Sequence, residues 1–176
     1  YSLHYVGGVK RGDISADYYG MYCRRLERLM GGDEQDPPMV AMMANGTSAD
    51  VNNTNFVHPR PAKRPYEQMR FVADDLAGKV HAALADIKYH DRVTLAARYR
   101  ELKISPRKPT AEQMAWARQT LAGPEPAPGK ADLPRIYAQR TVDIAGYPAS
   151  VPVALQVLRI GGVCIGSMPN EVFCEI

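Results

Sequence analysis

The pattern that most restricts this chain lies between Pro65 and Lys88. There Met69, Val72, Ala73, Leu76, Val80, Ala83, Leu84 and Ile87 recur at helical spacing, forming one apolar stripe on an amphipathic helix. A second stripe runs from Ala16 to Met30 through Tyr18, Tyr19, Tyr22, Cys23, Leu26, Leu29 and Met30, and Gly31-Gly32 closes it. Asp13, Ser15 and Asp17 stand before it as N-cap candidates. Two such helices need a shared apolar partner surface, so a layered globular fold follows.

Other stretches carry a period of two. Tyr1 to Val6 and Val93 to Ile104 alternate, the latter with Arg98 and Arg100 on one face, which predicts a half-exposed strand. Ser150 to Ile160 alternates as well, turns at Gly161-Gly162 and returns through Val163 to Met168 as a β-hairpin. Pro169-Asn170-Glu171 should then open a helix. Helices are also expected from Thr110, where Gln113 completes a capping box, to Leu121, and from Leu133 to Ile144. The Pro- and Gly-rich stretch from Gly123 to Gly129 reads as a surface loop. Phe56 to Pro61 reads as extended. The expected class is α/β, a mixed sheet with flanking helices, ending in a β-hairpin followed by a helix start. All 176 residues are expected to form part of one domain. Both ends fall inside patterned segments, so an excerpt of a larger domain is expected, and the missing targeting signal carries no information.

Composition removes several function classes. The 22 basic and 19 acidic residues give a net charge of +3 with no basic stripe interleaved with aromatics, so no nucleic acid is expected. No apolar run reaches the roughly 18 residues a transmembrane helix requires. Cys23, Cys164 and Cys174 lack zinc-site spacing and are expected to be buried thiols. The P-loop, the Gly-x-Gly-x-x-Gly turn and the His-Glu-x-x-His helix are all absent.

The chemistry is expected around Asn45 to Asn53. The apolar run Met39 to Ala44, framed by Pro37-Pro38, predicts a buried strand, and the loop that leaves it is rich in small and amide side chains. Ligands bind at the ends of such strands. His4 and Glu171 stand at comparable strand-to-loop junctions. Imidazole and carboxylate are ligands a hydrolytic zinc accepts while keeping a position for water. Gly46-Thr47-Ser48-Ala49-Asp50 has the outline of a nucleophile elbow, but Asp50 stands where glycine belongs and no helix is expected to follow. Asn45-Gly46-Thr47 and Asn52-Asn53-Thr54 fit the glycosylation pattern, which is common by chance.

The order Tyr1-Ser2-Leu3-His4, Ile14-Ser15-Ala16-Asp17-Tyr18-Tyr19-Gly20, Asn45 through Asn53 and Gly166 through Phe173 resembles the neutral/alkaline ceramidase-like family. The similarity is densest at the two ends and over the central loop; Val57 to Pro148 carries little of it. The resemblance implies a zinc ion held by two histidines, a glutamate and a tyrosine, which activates a water that cleaves an amide bond. His4 matches the second histidine, and Glu171 matches the glutamate of a Pro-Gly-Glu-Phe-like segment, with Asn170 replacing the glycine and Val172 preceding Phe173. The other two ligands would lie before Tyr1 and beyond Ile176.

The central loop departs from the family pattern Gly-Asp-x-Ser-Pro-Asn. Ala49 replaces a glycine, and Asn52 stands where the family has a serine. That departure bears on ceramide as substrate more than on hydrolysis, because a metal-activated water needs no serine. By the resemblance, Asp50 would orient the loop or the ligands, and Asn45 or Asn52 would donate to an oxyanion. The expected function is a zinc-dependent hydrolase of an N-acyl, ceramide-like or related carbonyl bond in a small-molecule or lipid substrate. The alternatives are an inactive ceramidase-like binding domain and a serine esterase using Ser48. The family leans towards secreted or periplasmic proteins.

Overall fold

The computed structural model describes residues 1–127 and 132–175. The end of the predicted Gly123–Gly129 loop and the terminal Ile176 lie outside them. The described chain is mixed α/β and forms two compact units.

The first unit comprises Tyr1–Asp91 and the tail from Asn170. Its frame is a pair of helices, α1 (Asp17–Leu29) and α2 (Glu67–Leu84). Tyr18, Tyr22 and Leu26 of α1 are buried together with Met69, Ala73 and Ala77 of α2. The small alanines on α2 let the ring-bearing face of α1 approach closely. Complete burial of a side chain such as Met69 contributes roughly 1.5–3 kcal/mol. The observed stripe runs through Ala77, whereas Ala83 and Ile87 are exposed. The helix is also shorter than its pattern. It starts after Tyr66, whose φ of 65° is left-handed, and past Leu84 the amides of Asp86 and Ile87 bond three residues back, tightening the end.

The two N-terminal segments expected as strands are extended but form no ladder. Only isolated bonds join them: Gly46 N–H donates to Tyr1 O at 3.1 Å and His4 N–H to Val51 O at 2.9 Å. Nor is the Met39–Ala44 run a buried strand. Its side chains alternate, Ala41 and Met43 packing on the core while Val40 (73%) and Met42 (85%) stand in solvent. A 3₁₀ turn, Gly32–Glu34, leads into it, and its backbone is held from α1, with Ala41 N–H donating to Glu27 Oε1 at 3.0 Å.

The second unit, Arg92–Pro169, holds a three-stranded sheet in the order β1 (Leu95–Ile104), β2 (Val151–Ile160), β3 (Val163–Ser167). The expected hairpin is present, turning at Gly161 with φ 59°. The sheet is antiparallel throughout and not mixed in strand direction, because β1 and β2 run in opposite senses, with Leu95 opposite Ile160 and Ile104 opposite Val151. This register puts Leu95, Leu158, Ile160, Val163 and Ile165 on one exposed face and Arg98, Arg100 and Arg159 on the other.

Between β1 and β2 lie α3 (Ala111–Ala122) and α4 (Leu133–Ala145), with Ala117 and Ala138 fully buried. The capping box forms as expected: Gln113 N–H donates to Thr110 Oγ1 at 3.2 Å and Thr110 N–H to Gln113 Oε1 at 2.8 Å. At the C-terminus of α4 the Lys108 ammonium donates to the carbonyls of Ile144 (3.2 Å), Ala145 (3.1 Å) and Tyr147.

After β3 the expected helix does not form among the described residues. The tail spends its backbone groups elsewhere: Val172 O accepts from Ala49 N–H at 3.0 Å, and Cys174 N–H donates to the Asp50 carboxylate.

Candidate functional site

The N-terminal segment is tied down before it reaches His4. The hydroxyls of Tyr18 and Tyr19, stacked at 4.1 Å between ring centroids, both donate to Leu3 O, at 2.8 and 2.9 Å. Just beyond His4, the buried Asp17 accepts from Val6 N–H (2.9 Å), Gly7 N–H (2.8 Å) and Tyr18 N–H (2.7 Å). Asp17, read from the sequence as one cap candidate among several, is thus the anchor of the strand-like segment. Its φ of 53° aims its carboxylate back along the chain.

His4 sits between these anchors, half-buried. Its ring lies 4.4 Å from that of Tyr5, and its backbone is fixed to Val51. Glu171 arrives from the far end of the chain. Its Oε1 lies 3.0 Å from His4 Nε2, although 167 positions separate the two. Ligands about 2.0–2.2 Å from a tetrahedral zinc lie roughly 3–4 Å apart. The pair stands at the short end of that interval, one imidazole nitrogen and one carboxylate oxygen, so its chemistry and spacing fit half of a four-ligand site.

Asp50 does not touch the substrate-facing part of this pair. Its Oδ1 accepts from Cys174 N–H at 3.0 Å and its Oδ2 from the Cys174 thiol at 3.2 Å. The thiol holds the Asp50 carboxyl below the usual carboxylate range, and the carboxylate pushes the Cys174 thiol up. Cys174 carries no recognisable motif, and only folding brings it to Asp50. Asp50, Cys174 and Glu175 offer one ligand atom each within 4.8 Å of one another, all on exposed residues. Contrary to expectation, Cys164 and Cys174 are exposed and only Cys23 is half-buried.

The remaining loop residues are committed to one another. Asn45 Nδ2 donates to Ser48 Oγ at 2.7 Å, and Ser48 is 2% exposed. Asn52 Oδ1 accepts from Thr54 N–H at 2.9 Å, a local turn that leaves its amide N–H groups as the donors it can offer. Asn53 Nδ2 donates to Val6 O at 3.2 Å, sewing the loop to the His4 segment. Gly46 is required for close approach, since a Cβ there would lie 2.5 Å from Ser2 Oγ.

Together these contacts define a mixed α/β protein with a polar site where the two ends of the chain and the central loop converge. No protein-family model, curated protein or solved structure matches the chain. Among the described residues no helix is long and apolar enough to cross a membrane.

Proposed function

We propose that this chain carries part of a zinc-dependent hydrolase site, with His4 and Glu171 as metal ligands and an N-acyl amide or related carbonyl compound as substrate. The single observation that supports this reading is the 3.0 Å approach of two potential ligands from opposite ends of the sequence. When bound, zinc supplies Lewis acidity and lowers the pKa of its water towards about 7. The chain's own residues supply position. Leu3 and Val51 hold the His4 backbone; Ala49 and Asp50 hold the tail that bears Glu171. Asn52 offers amide N–H donors to a carbonyl oxygen that gains charge. Asn45 could do so only by releasing Ser48.

A noncatalytic binding domain is the rival reading, favoured by Asn52 at the position where the ceramidase-like pattern has serine. The serine-esterase reading gains no support, because the Ser48 hydroxyl is buried and bonded to Asn45, not to a histidine. The deciding experiment is metal-dependent release of fatty acid from a panel of N-acyl substrates by the full-length protein. Turnover that disappears in Glu171→Gln supports the hydrolase. Saturable binding of the same compounds without turnover supports the binding domain.

A further inference from the structure

A cavity of about 270 Å³ opens in the first unit, walled by Gly8, Asn53, Arg60, Lys63, Arg64 and Gln68 among others, with no carboxylate in its lining. It makes no use of His4 or Glu171. Its size falls just below the roughly 300–1,000 Å³ of pockets for drug-sized ligands, which suits a small molecule.

Three cations meet here, and only one has an acidic partner. Arg64 Nε lies 3.3 Å from Glu67 Oε2, an exposed pair that screening weakens. Arg60 donates to the carbonyl of Asn53, which positions its guanidinium and leaves its charge. Lys63 Nζ stands 5.0 Å from the centroid of the Phe71 ring, again without losing charge. The N-terminus of α2 enters the same wall. Tyr66 at its N-cap makes no side-chain cap, so the positive end of the helix is uncovered there.

A second, independent feature qualifies what the cavity accepts. Gln68 Oε1 is buried and has no hydrogen-bond partner among the described residues. A buried acceptor left unpaired costs free energy, and a ligand that donates to it recovers that cost. We propose that this cavity binds a small oxyanion bearing a neighbouring hydroxyl or N–H: a hydroxylated phosphate monoester or a hydroxy- or amino-carboxylate. Arg60, Lys63 and Arg64 take the charge, and Gln68 takes the donor.

The test is a titration of the protein, followed by amide NMR shifts and calorimetry, with paired probes: glycerol 1-phosphate against methyl phosphate, and glycolate against acetate. The expected result is saturable shifts confined to Gly7, Gly8, Asn53 and the first turn of α2. The probe with the hydroxyl should bind several-fold tighter within its pair. The pair that binds more tightly identifies the phosphate or the carboxylate source. Arg60→Ala with Arg64→Ala should weaken binding tenfold or more, and higher salt should do the same. Gln68→Met should erase the preference within each pair, keep anion binding, and leave the unliganded protein no less stable. Shifts that do not saturate, spread over the surface, or persist unchanged in the double arginine variant would overturn the proposal, as would a preference that survives Gln68→Met.

Discussion

Asp50 grips Cys174 at two points, its carboxylate accepting the backbone N–H at 3.0 Å and the thiol at 3.2 Å across 124 positions of sequence. With the Ala49–Val172 bond, this clasp decides where residues 172–174 lie, and Glu171 is the next residue. Asp50 is therefore a positioning residue, acting on Glu171 through the tail.

The clasp sets the chemistry of the thiol. Because the carboxylate raises the Cys174 pKa, Cys174 should alkylate more slowly with iodoacetamide near pH 8 than the exposed Cys164. Asp50→Asn removes the charge, so the thiol pKa falls and Cys174 alkylation should accelerate several-fold with Cys164 unchanged. Mass spectrometry of the two cysteine peptides measures both rates. Equal rates in the parent protein would contradict the clasp.

The same bond has an acid limit. The Asp50 carboxyl titrates below its ordinary range, so its contribution is complete above the unfolded-state value and is lost as pH falls through the depressed folded one. Proteolysis of the tail should therefore stay slow at neutral pH and accelerate only below the ordinary carboxylate range. In Asp50→Asn it should be fast at every pH. A tail equally protected in that variant would show that the Ala49–Val172 bond suffices.

For the hydrolase reading, Glu171→Gln keeps a hydrogen-bonding partner for His4 but removes the charge a metal requires. Its loss of zinc-dependent turnover should exceed the roughly 10–100-fold that removal of an outer partner costs. Asp50→Ala should fall within that roughly 10–100-fold range and show it in metal affinity as well. Identical metal affinity in the parent and Glu171→Gln would remove Glu171 from the ligand set.

Stability in the first unit should depend on Asp17. Asp17→Ala leaves the N–H groups of Val6 and Gly7 without their acceptor and puts alanine at a positive φ, for an expected loss of about 2–4 kcal/mol in urea unfolding. Asp17→Asn retains one acceptor oxygen and tolerates the backbone, so it should cost less. Equal losses would point away from the hydrogen bonds.

In the second unit two polar contacts hold the helices. Thr110→Ala should cost about 1 kcal/mol by removing the capping box. Lys108→Met should cost about 1 kcal/mol by uncovering the carbonyl end of α4. Hydrogen exchange should localise the first effect to the start of α3 and the second to the last turn of α4.

Periodicity alone determined the α/β class, the four helices to within a few residues, the terminal hairpin and the capping box at Thr110. These depend on neighbours within a few positions, where side-chain spacing and caps act directly. It failed where partners decide. Tyr1–Val6 and Met39–Ala44 have strand-like alternation but find no ladder to join, and the segment after Pro169 gives its backbone groups to the central loop in place of its own next turn. The site divides the same way. His4, Asp50 and Glu171 were legible as residue types suited to metal and acid chemistry. That His4 lies 3.0 Å from Glu171, that Asp50 serves Cys174, and that Asp17 anchors the N-terminal segment were decided only by the tertiary structure. Contacts across 124 and 167 positions leave no local pattern, because the energy that makes them arises from packing and hydrogen bonds formed after the chain has folded back on itself.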